Sequence, residues 1–313
     1  MRRRYSSDLT DIQQQYIESF FEQQTFRTHH SHSLVNALFY VEKTGCQWRM
    51  LPKEFPAWQT VYYHFRHWMA SGLIERLTDT LRRATHIKAG RKPRPSAAIV
   101  DHQSVKTGRV GGPKRGFDGG KQVRRLGKGR KRHIATDTMG FLLAVLVHSA
   151  AVNDSQRMPH LLKRMVGKVP RMKVIFADQG YRGTPGGLIW RCFGWMLHLV
   201  RRAKDQQGFA VQERRWIVER TFSWFGGSRH LSKDYEYLPQ VSEAMVRISA
   251  LRLMIRRLTR LPNRFQVLSS LKMVKLPACA WSLLPAVIFV EFNLLIKFLN
   301  SRGSSLILLI AMC

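Results

Sequence analysis

The chain has 313 residues, with 52 Lys plus Arg against 20 Asp plus Glu and a formal net charge of +32 at pH 7. Such a field repels itself in the folded state, which excludes an ordinary neutral enzyme of small molecules and points to a neutralising polyanion. A content of 44% hydrophobic and 11% aromatic residues excludes a disordered basic tail. The chain should therefore fold, and it should meet nucleic acid.

The first ninety residues read as helical. Thr10 can cap a helix in which Ile12, Tyr16, Ile17 and Phe20 recur at helical spacing. Ser33 opens a second, with Leu34, Ala37, Leu38 and Val41 on one stripe and Gly45 at its end. A third begins after Pro56, its stripe formed by Val61, Phe65, Trp68 and Met69, with Gln59, Tyr63, Arg66 and His67 off it. A fourth runs from about Leu73 to Arg83. Two arrangements fit this pattern equally, a helix-turn-helix and a plain helical bundle.

Residues 89–96 are basic and proline-containing and read as a linker. Ala97 to Val100 is a short apolar strand running into Asp101. Residues 106–132 carry eleven Lys or Arg, one acid (Asp118) and no apolar periodicity, so a basic loop is expected. His133–Asp137 and Phe141–His148 flank Thr138-Met139-Gly140 as strand, turn and strand. A helix follows over Gln156–Val166, then a strand over Lys173–Ala177 running into Asp178. Leu188–Cys192 is weakly helical and Met196–Val200 fits a strand. Two longer helices are expected over Glu213–Trp224 and Val241–Leu261.

The four cysteines form no Cys-x-x-Cys pair, which favours a reducing compartment over a disulfide framework or zinc finger. The basic start runs into polar residues without the apolar core of a signal peptide. Leu276 to Val290 is apolar but broken by Pro277 and Pro285 and closed by Glu291. That is shorter than the roughly twenty residues a membrane span needs, so no membrane partner is expected.

Asp101 and Asp178 each follow a buried-looking strand, and strand ends are where side chains leave the core and converge. With Glu219 on a following helix they make an all-oxygen set suited to Mg²⁺ or Mn²⁺. A strand-end Asp can equally be a turn or cap residue. Asp137 and Asp154 are rival acids, the first in the hairpin turn and the second at a helix start. His29, His30 and His32 suit a solvated turn better than a metal site, because no matching ligands occur elsewhere.

Ile99-Val-Asp-His-Gln-Ser-Val-Lys-Thr107, Phe176-Ala-Asp-Gln-Gly-Tyr-Arg-Gly183 and Arg214-Arg-Trp-Ile-Val-Glu-Arg-Thr-Phe-Ser-Trp-Phe225 together resemble the insertion-sequence transposases of the IS5 family. Gly116-Phe-Asp-Gly-Gly120, Gly129-Arg-Lys-Arg-His-Ile134 and Leu231-Ser-Lys-Asp-Tyr-Glu236 match further stretches of that family in order. Gly45-Cys-Gln-Trp-Arg-Met-Leu-Pro52 and Phe65-Arg-His-Trp68 are similar to its helical leader. The similarity spans roughly residues 5–261.

The resemblance implies an α/β protein, with a helical, helix-turn-helix-like N-terminal domain followed by an RNase-H-like mixed-sheet catalytic core. By position, residues 1–88 are the DNA-binding leader, 89–96 the linker, 97–261 the core and 262–313 an atypical apolar tail without counterpart. Asp101, Asp178 and Glu219 become the catalytic acids and metal ligands of a DDE enzyme holding two ions, Mg²⁺ or Mn²⁺, with Asp101 bridging both. The implied reaction is hydrolysis at the element's ends and transfer of the freed 3′-hydroxyl into target DNA, without a nucleotide cofactor. The implied partners are inverted-repeat ends, a target duplex and further copies of the chain, in a prokaryotic cytoplasm at the nucleoid.

Arg215 lies one helical turn before Glu219 and is placed to hold a DNA phosphate, or is a plain surface charge. Arg182, Lys121, Arg130, Lys131, Arg132, Arg229 and Lys233 are the further expected DNA contacts, and Tyr181 and Arg182 fit either DNA positioning or loop packing. Departures from the family are His102 in place of the usual Ser, extra residues around 124–127, and Gln212-Glu213 for Leu-Pro. A further departure is Phe225-Gly-Gly-Ser-Arg-His230, whose adjacent glycines would cost a helix about 2 kcal/mol. A non-catalytic DNA-binding protein, regulator or decayed copy, is the alternative reading.

Overall fold

The computed structural model describes residues 5–21, 30–109, 111–118, 129–184, 186–200 and 214–260. Lys121, the extra residues near 124–127, Gln212-Glu213, His29, the Leu276–Val290 run and the whole tail 262–313 lie outside the described residues. Among the described residues, no helix is long and apolar enough to cross a membrane.

The leader is four helices: α1 (Asp11–Glu18), α2 (Ser31–Thr44), α3 (Trp58–Ala70) and α4 (Leu73–Lys88). Thr10 caps α1 through a reciprocal pair, its hydroxyl accepting from Gln13 N–H at 3.3 Å while Gln13 Oε1 accepts from Thr10 N–H at 3.1 Å. Gly45 ends α2 at φ +68°, and a Cβ there would lie 3.1 Å from backbone atoms of Arg229 and His230. Glycine thus lets α2 close onto a distant turn. On α3 the stripe Val61, Phe65 and Trp68 is buried, whereas Gln59, Tyr63 and His67 are exposed. Helix α4 runs past the expected Arg83 because its buried face continues through Thr85 and His86.

The sheet is built from β1 (Ala97–Lys106), β2 (Gly129–Asp137), β3 (Leu142–Ser149), β4 (Val174–Ala177) and β5 (Met196–Leu199). Their order is β3-β2-β1-β4-β5. The first three strands form an antiparallel meander, and β4 and β5 add parallel to β1. This mixed sheet, with helices on both faces, is the RNase-H-like arrangement the resemblance implied. Helices α5 (Asp154–Lys163) and α6 (Gly186–Phe193) follow β3 and β4, and α7 (Arg215–Gly226) and α8 (Pro239–Leu258) come last.

Two expectations are corrected here. Strand β1 does not stop before Asp101 but continues to Lys106, so Asp101 is a mid-strand residue. The basic segment is not a loop to its end, because Gly129–Arg132 pair with Lys106 to Gln103 and begin β2. The lack of apolar periodicity misled in this stretch, since its strand residues bury charged side chains.

Side chains of a strand alternate between faces. Ile99 and Ile134 face one apolar cluster with α1–α4, α7 and α8, while Ala98, Val100 and Ala135 face another with α5 and α6. The same alternation sends Asp101 toward the α7 side and His102 toward α5. The leader helices share the first cluster with α8, and Glu75 of α4 adds an ion pair to Arg247 of α8 at 2.8 Å.

Candidate active site

Asp101 leaves β1, Asp178 follows β4 directly, and Glu219 stands one turn along α7. All three meet at Arg215. Its Nη2 lies 3.7 Å from Asp101 Oδ2, 3.8 Å from Asp178 Oδ2 and 3.5 Å from Glu219 Oε1. Asp101 Oδ1 accepts its neighbour His102's N–H at 2.8 Å, and Asp178 Oδ1 accepts from Gly180 N–H at 2.9 Å. Each aspartate thereby fixes one oxygen on backbone and offers the other to a cation. Asp101 is nearly buried, Asp178 less so, and the Glu219 side chain is about half exposed. The set is all-oxygen, the donor chemistry of a hard divalent ion, and it gathers round one cationic group with one side open to solvent.

Helix α7 is held against the sheet by contacts that begin at Arg214, the residue before its first turn. Arg214, at φ +64°, lays its guanidinium over the Phe176 ring at 4.3 Å and so starts the helix beside β4. Thr221 Oγ1 donates to Gly140 O at 2.8 Å. A Cβ on Gly140 (φ +85°) would come within 2.9 Å of that hydroxyl, so the hairpin turn needs glycine for this approach. Arg220 donates to Met139 O at 3.0 Å and stacks on Trp216 and Trp224. Gly226 is the last residue of α7 and Gly227 its cap. The paired glycines therefore terminate the helix instead of weakening its interior, and Lys43 donates to the Gly227 carbonyl at 2.5 Å.

The opposite face of β1 carries a second polar cluster. His102 Nδ1 lies 3.5 Å from Asp154 Oδ2, His133 Nε2 3.3 Å from Asp154 Oδ1, and Lys131 Nζ 2.9 Å from the same oxygen. Burial works to raise the Asp154 pKa, but the His133 hydrogen bond, the His102 charge and the Lys131 ammonium hold it well below the usual carboxylate range. Tyr181 closes the cluster with its hydroxyl 3.3 Å from His133 Nδ1. Burial, with the negative charge of Asp101, Asp154 and Asp178, pushes its pKa far up, so it remains a neutral phenol. Asp154 does start α5, as expected, yet its carboxylate serves this cluster; that role needs the strand register and had no signal in the sequence. Asp137 is fully buried and accepts from Met139 N–H, Phe141 N–H and His86 Nε2 at 2.8, 3.0 and 2.7 Å. It belongs to the hairpin and not to the site.

The expected DNA contacts divide in two. Arg182, Arg229 and Lys233 are exposed. Arg130, Lys131 and Arg132 are buried side chains of β2, and the expectation of a DNA contact from them is corrected. Arg130 pairs with buried Asp234 at 3.3 Å and donates to the carbonyls of Glu236, Pro113 and Tyr237. Arg132 donates to the carbonyls of Leu231 and Lys233. These cations pin the segment after α7 to the sheet; the chain uses their charge internally.

Two family models match the chain. "Putative transposase of IS4/5 family" covers residues 9–78, and "Transposase DDE domain" covers residues 92–254, just over half of the chain. A relative from Burkholderia cepacia, "Putative transposase for insertion sequence element IS402", is 28% identical over 182 residues, 55% of this chain and 84% of that protein. Among solved structures, the Mos1 mariner paired end complex with Mn gives a TM-score of 0.28 at 12% identity, covering 78% of this chain and 84% of that one. The Mos1 strand transfer complex gives 0.30 at 12% identity, covering 78% and 82%. Both are too remote to add to what the strand order shows.

Proposed function

This chain belongs to the DDE-domain transposases of IS4/5 type, and we propose that Asp101, Asp178 and Glu219 are the acids with which it cuts and joins DNA. The observation that carries this reading is the meeting of three carboxylates, from β1, from the end of β4 and from α7, at one guanidinium. Within the type, the motifs around Asp101, Asp178 and Glu219 favour the IS5 family.

Two divalent ions, Mg²⁺ or Mn²⁺, held by these acids would activate the attacking oxygen and stabilise the leaving one. Asp101, the most buried of the three, would hold the ions together with Asp178 and Glu219. Arg215 balances the acids in the free protein and turns to a DNA phosphate when the backbone enters, a contact its planar fork suits. Hydrolysis at an element end frees a 3′-hydroxyl, and its attack on the target exchanges one phosphodiester for another. No nucleotide cofactor is needed. The exposed residues Gln59, Tyr63 and His67 of α3 would read the element ends, and the net charge of +32 would supply the general affinity for DNA.

The test is incubation of the full chain with Mg²⁺ or Mn²⁺ and DNA carrying the element's inverted-repeat ends. Nicked and joined products are expected from the parent. Asp101→Asn should remove them while DNA binding persists. Undiminished cleavage by that variant overturns the assignment, and an inert parent that still binds DNA makes the chain a non-catalytic binding protein.

A further inference from the structure

We propose that His102, His133 and Asp154 form a second metal site, for a borderline ion such as Zn²⁺, on the face of the sheet opposite the three carboxylates. The inference does not depend on the catalytic reading of Asp101, Asp178 and Glu219. It begins with strand geometry. His102 and His133 are direct cross-strand partners in the β1–β2 ladder, and their rings stack at 5.1 Å. Because neighbouring strand residues point to opposite faces, His102 turns away from Arg215 and toward the first turn of α5, where Asp154 stands.

The distances suit coordination. Ligand atoms about 2.1 Å from a tetrahedral ion lie about 3.4 Å from one another. His102 Nδ1 lies 3.5 Å from Asp154 Oδ2 and His133 Nε2 3.3 Å from Asp154 Oδ1, so each imidazole faces its own oxygen of the carboxylate; with one ligand atom taken per residue, the three lie within 4.8 Å of each other, and a small closure brings them to an ion. Among the described residues this is the one group of at least three His, Cys, Asp or Glu side chains so disposed. His133 also has the outer partner that a metal-bound imidazole usually has, its Nδ1 being within reach of the Tyr181 hydroxyl at 3.3 Å. Two imidazoles and one carboxylate favour Zn²⁺ over Mg²⁺, the reverse of the all-oxygen set across the sheet.

Lys131 is the competitor. Its ammonium holds Asp154 Oδ1 at 2.9 Å in the free protein, and it has Val152 O at 3.2 Å and Asp118 Oδ1 at 3.9 Å to fall back on. The ion would take the place of the ammonium beside Asp154, with Lys131 moving onto Asp118 and the Val152 carbonyl.

The full chain is titrated with Co²⁺ as a spectroscopic probe and with Zn²⁺ against a chromophoric chelator, both in excess Mg²⁺. One equivalent of Co²⁺ with the visible bands of a low-coordinate, nitrogen-ligated site is expected. The doubly substituted Asp178→Asn, Glu219→Gln chain, which leaves the Asp101 contact to His102 intact, should keep it. His102→Gln should lower Zn²⁺ affinity by more than the roughly 10–100-fold that outer-shell changes cost. Retention of the bands by a folded His102→Gln protein overturns the site, as does absence of the bands in the parent. Their loss in the double variant assigns the ion to the carboxylates instead. If His102→Gln does not fold, His102→Ser, the family's own residue, takes its place with the same two outcomes.

Discussion

Nη2 of Arg215 lies 3.5 Å from Oε1 of Glu219, one turn further along α7, and the same nitrogen is shared with Asp101 and Asp178. Three carboxylates cannot approach one another in the free protein without a counter-charge, and this arginine is that charge. If the acids hold a metal ion, as proposed, Arg215 competes with it for them. Arg215→Met therefore leaves the acids without a competing cation, and removal of a charge about 4 Å away is worth up to a few kcal/mol at a surface-like dielectric. Mn²⁺ binding to the free protein, followed by electron paramagnetic resonance, should tighten by about tenfold. Cleavage of DNA ends should nevertheless fall, and Arg215→Lys should only partly restore it.

Salt dependence separates surface cations from structural ones. If Arg182, Arg229 and Lys233 each contact a phosphate, replacing any one by Ala should lower the log–log slope of DNA affinity against salt by about 0.9. Arg130→Met should leave that slope unchanged, because Arg130 is fully buried. Affinity measured from 50 to 200 mM salt, about the range over which such slopes are read, distinguishes the two classes.

Arg130→Met should instead appear as a loss of stability. Both Arg130 and Asp234 are inaccessible, and the substitution leaves a buried carboxylate beside several unpaired carbonyls. Breaking one side of such a pair costs about 3–5 kcal/mol. Urea unfolding of the parent and variant measures it, and restoring Asp234→Asn in the variant should recover part of the loss.

Glu75 predicts the acid limb of stability. Its burial favours the neutral form, yet Arg247, Lys168 and Arg164 together hold its pKa below the ordinary 4.5. A carboxylate whose folded pKa is depressed binds fewer protons folded than unfolded, so its contribution is complete above about 4.5 and is lost as pH falls through the lower folded value. Glu75→Gln should be less stable than the parent at neutral pH. The difference should shrink below pH 4.5, which thermal unfolding across that range reads directly.

Much of the fold was legible in the sequence because its signals are local. The Thr10 capping box, the stop at Gly45, the Val61-Phe65-Trp68 stripe and the hairpin around Gly140 each arise from residues within a turn or two of one another. The residues 129–132 failed for the opposite reason. Their strand exists because β1 pairs with it, and the charges of Arg130 and Arg132 are buried because Asp234 and the carbonyls of residues 231–237 satisfy them from about a hundred residues away. No window on the sequence contains both partners.

The candidate site divides in the same way. Asp178 after a short apolar strand could be read from order alone, and Arg215 one turn before Glu219 from the resemblance together with the helical period, because a chain fixes helical and strand periods by covalent geometry. So could the excess of 32 positive charges and the demand for a polyanion. That the three carboxylates converge on one guanidinium was decided by the sheet order β3-β2-β1-β4-β5, which lays β4 beside β1 and brings α7 onto them. That His102 and Asp101, neighbours in the chain, serve opposite faces was decided by the pleat of β1 once its pairing was set. The sequence by itself determined which groups carry charge and where elements begin. Only the tertiary structure decided which charges meet, since pairing register and helix packing are set by contacts distant along the chain.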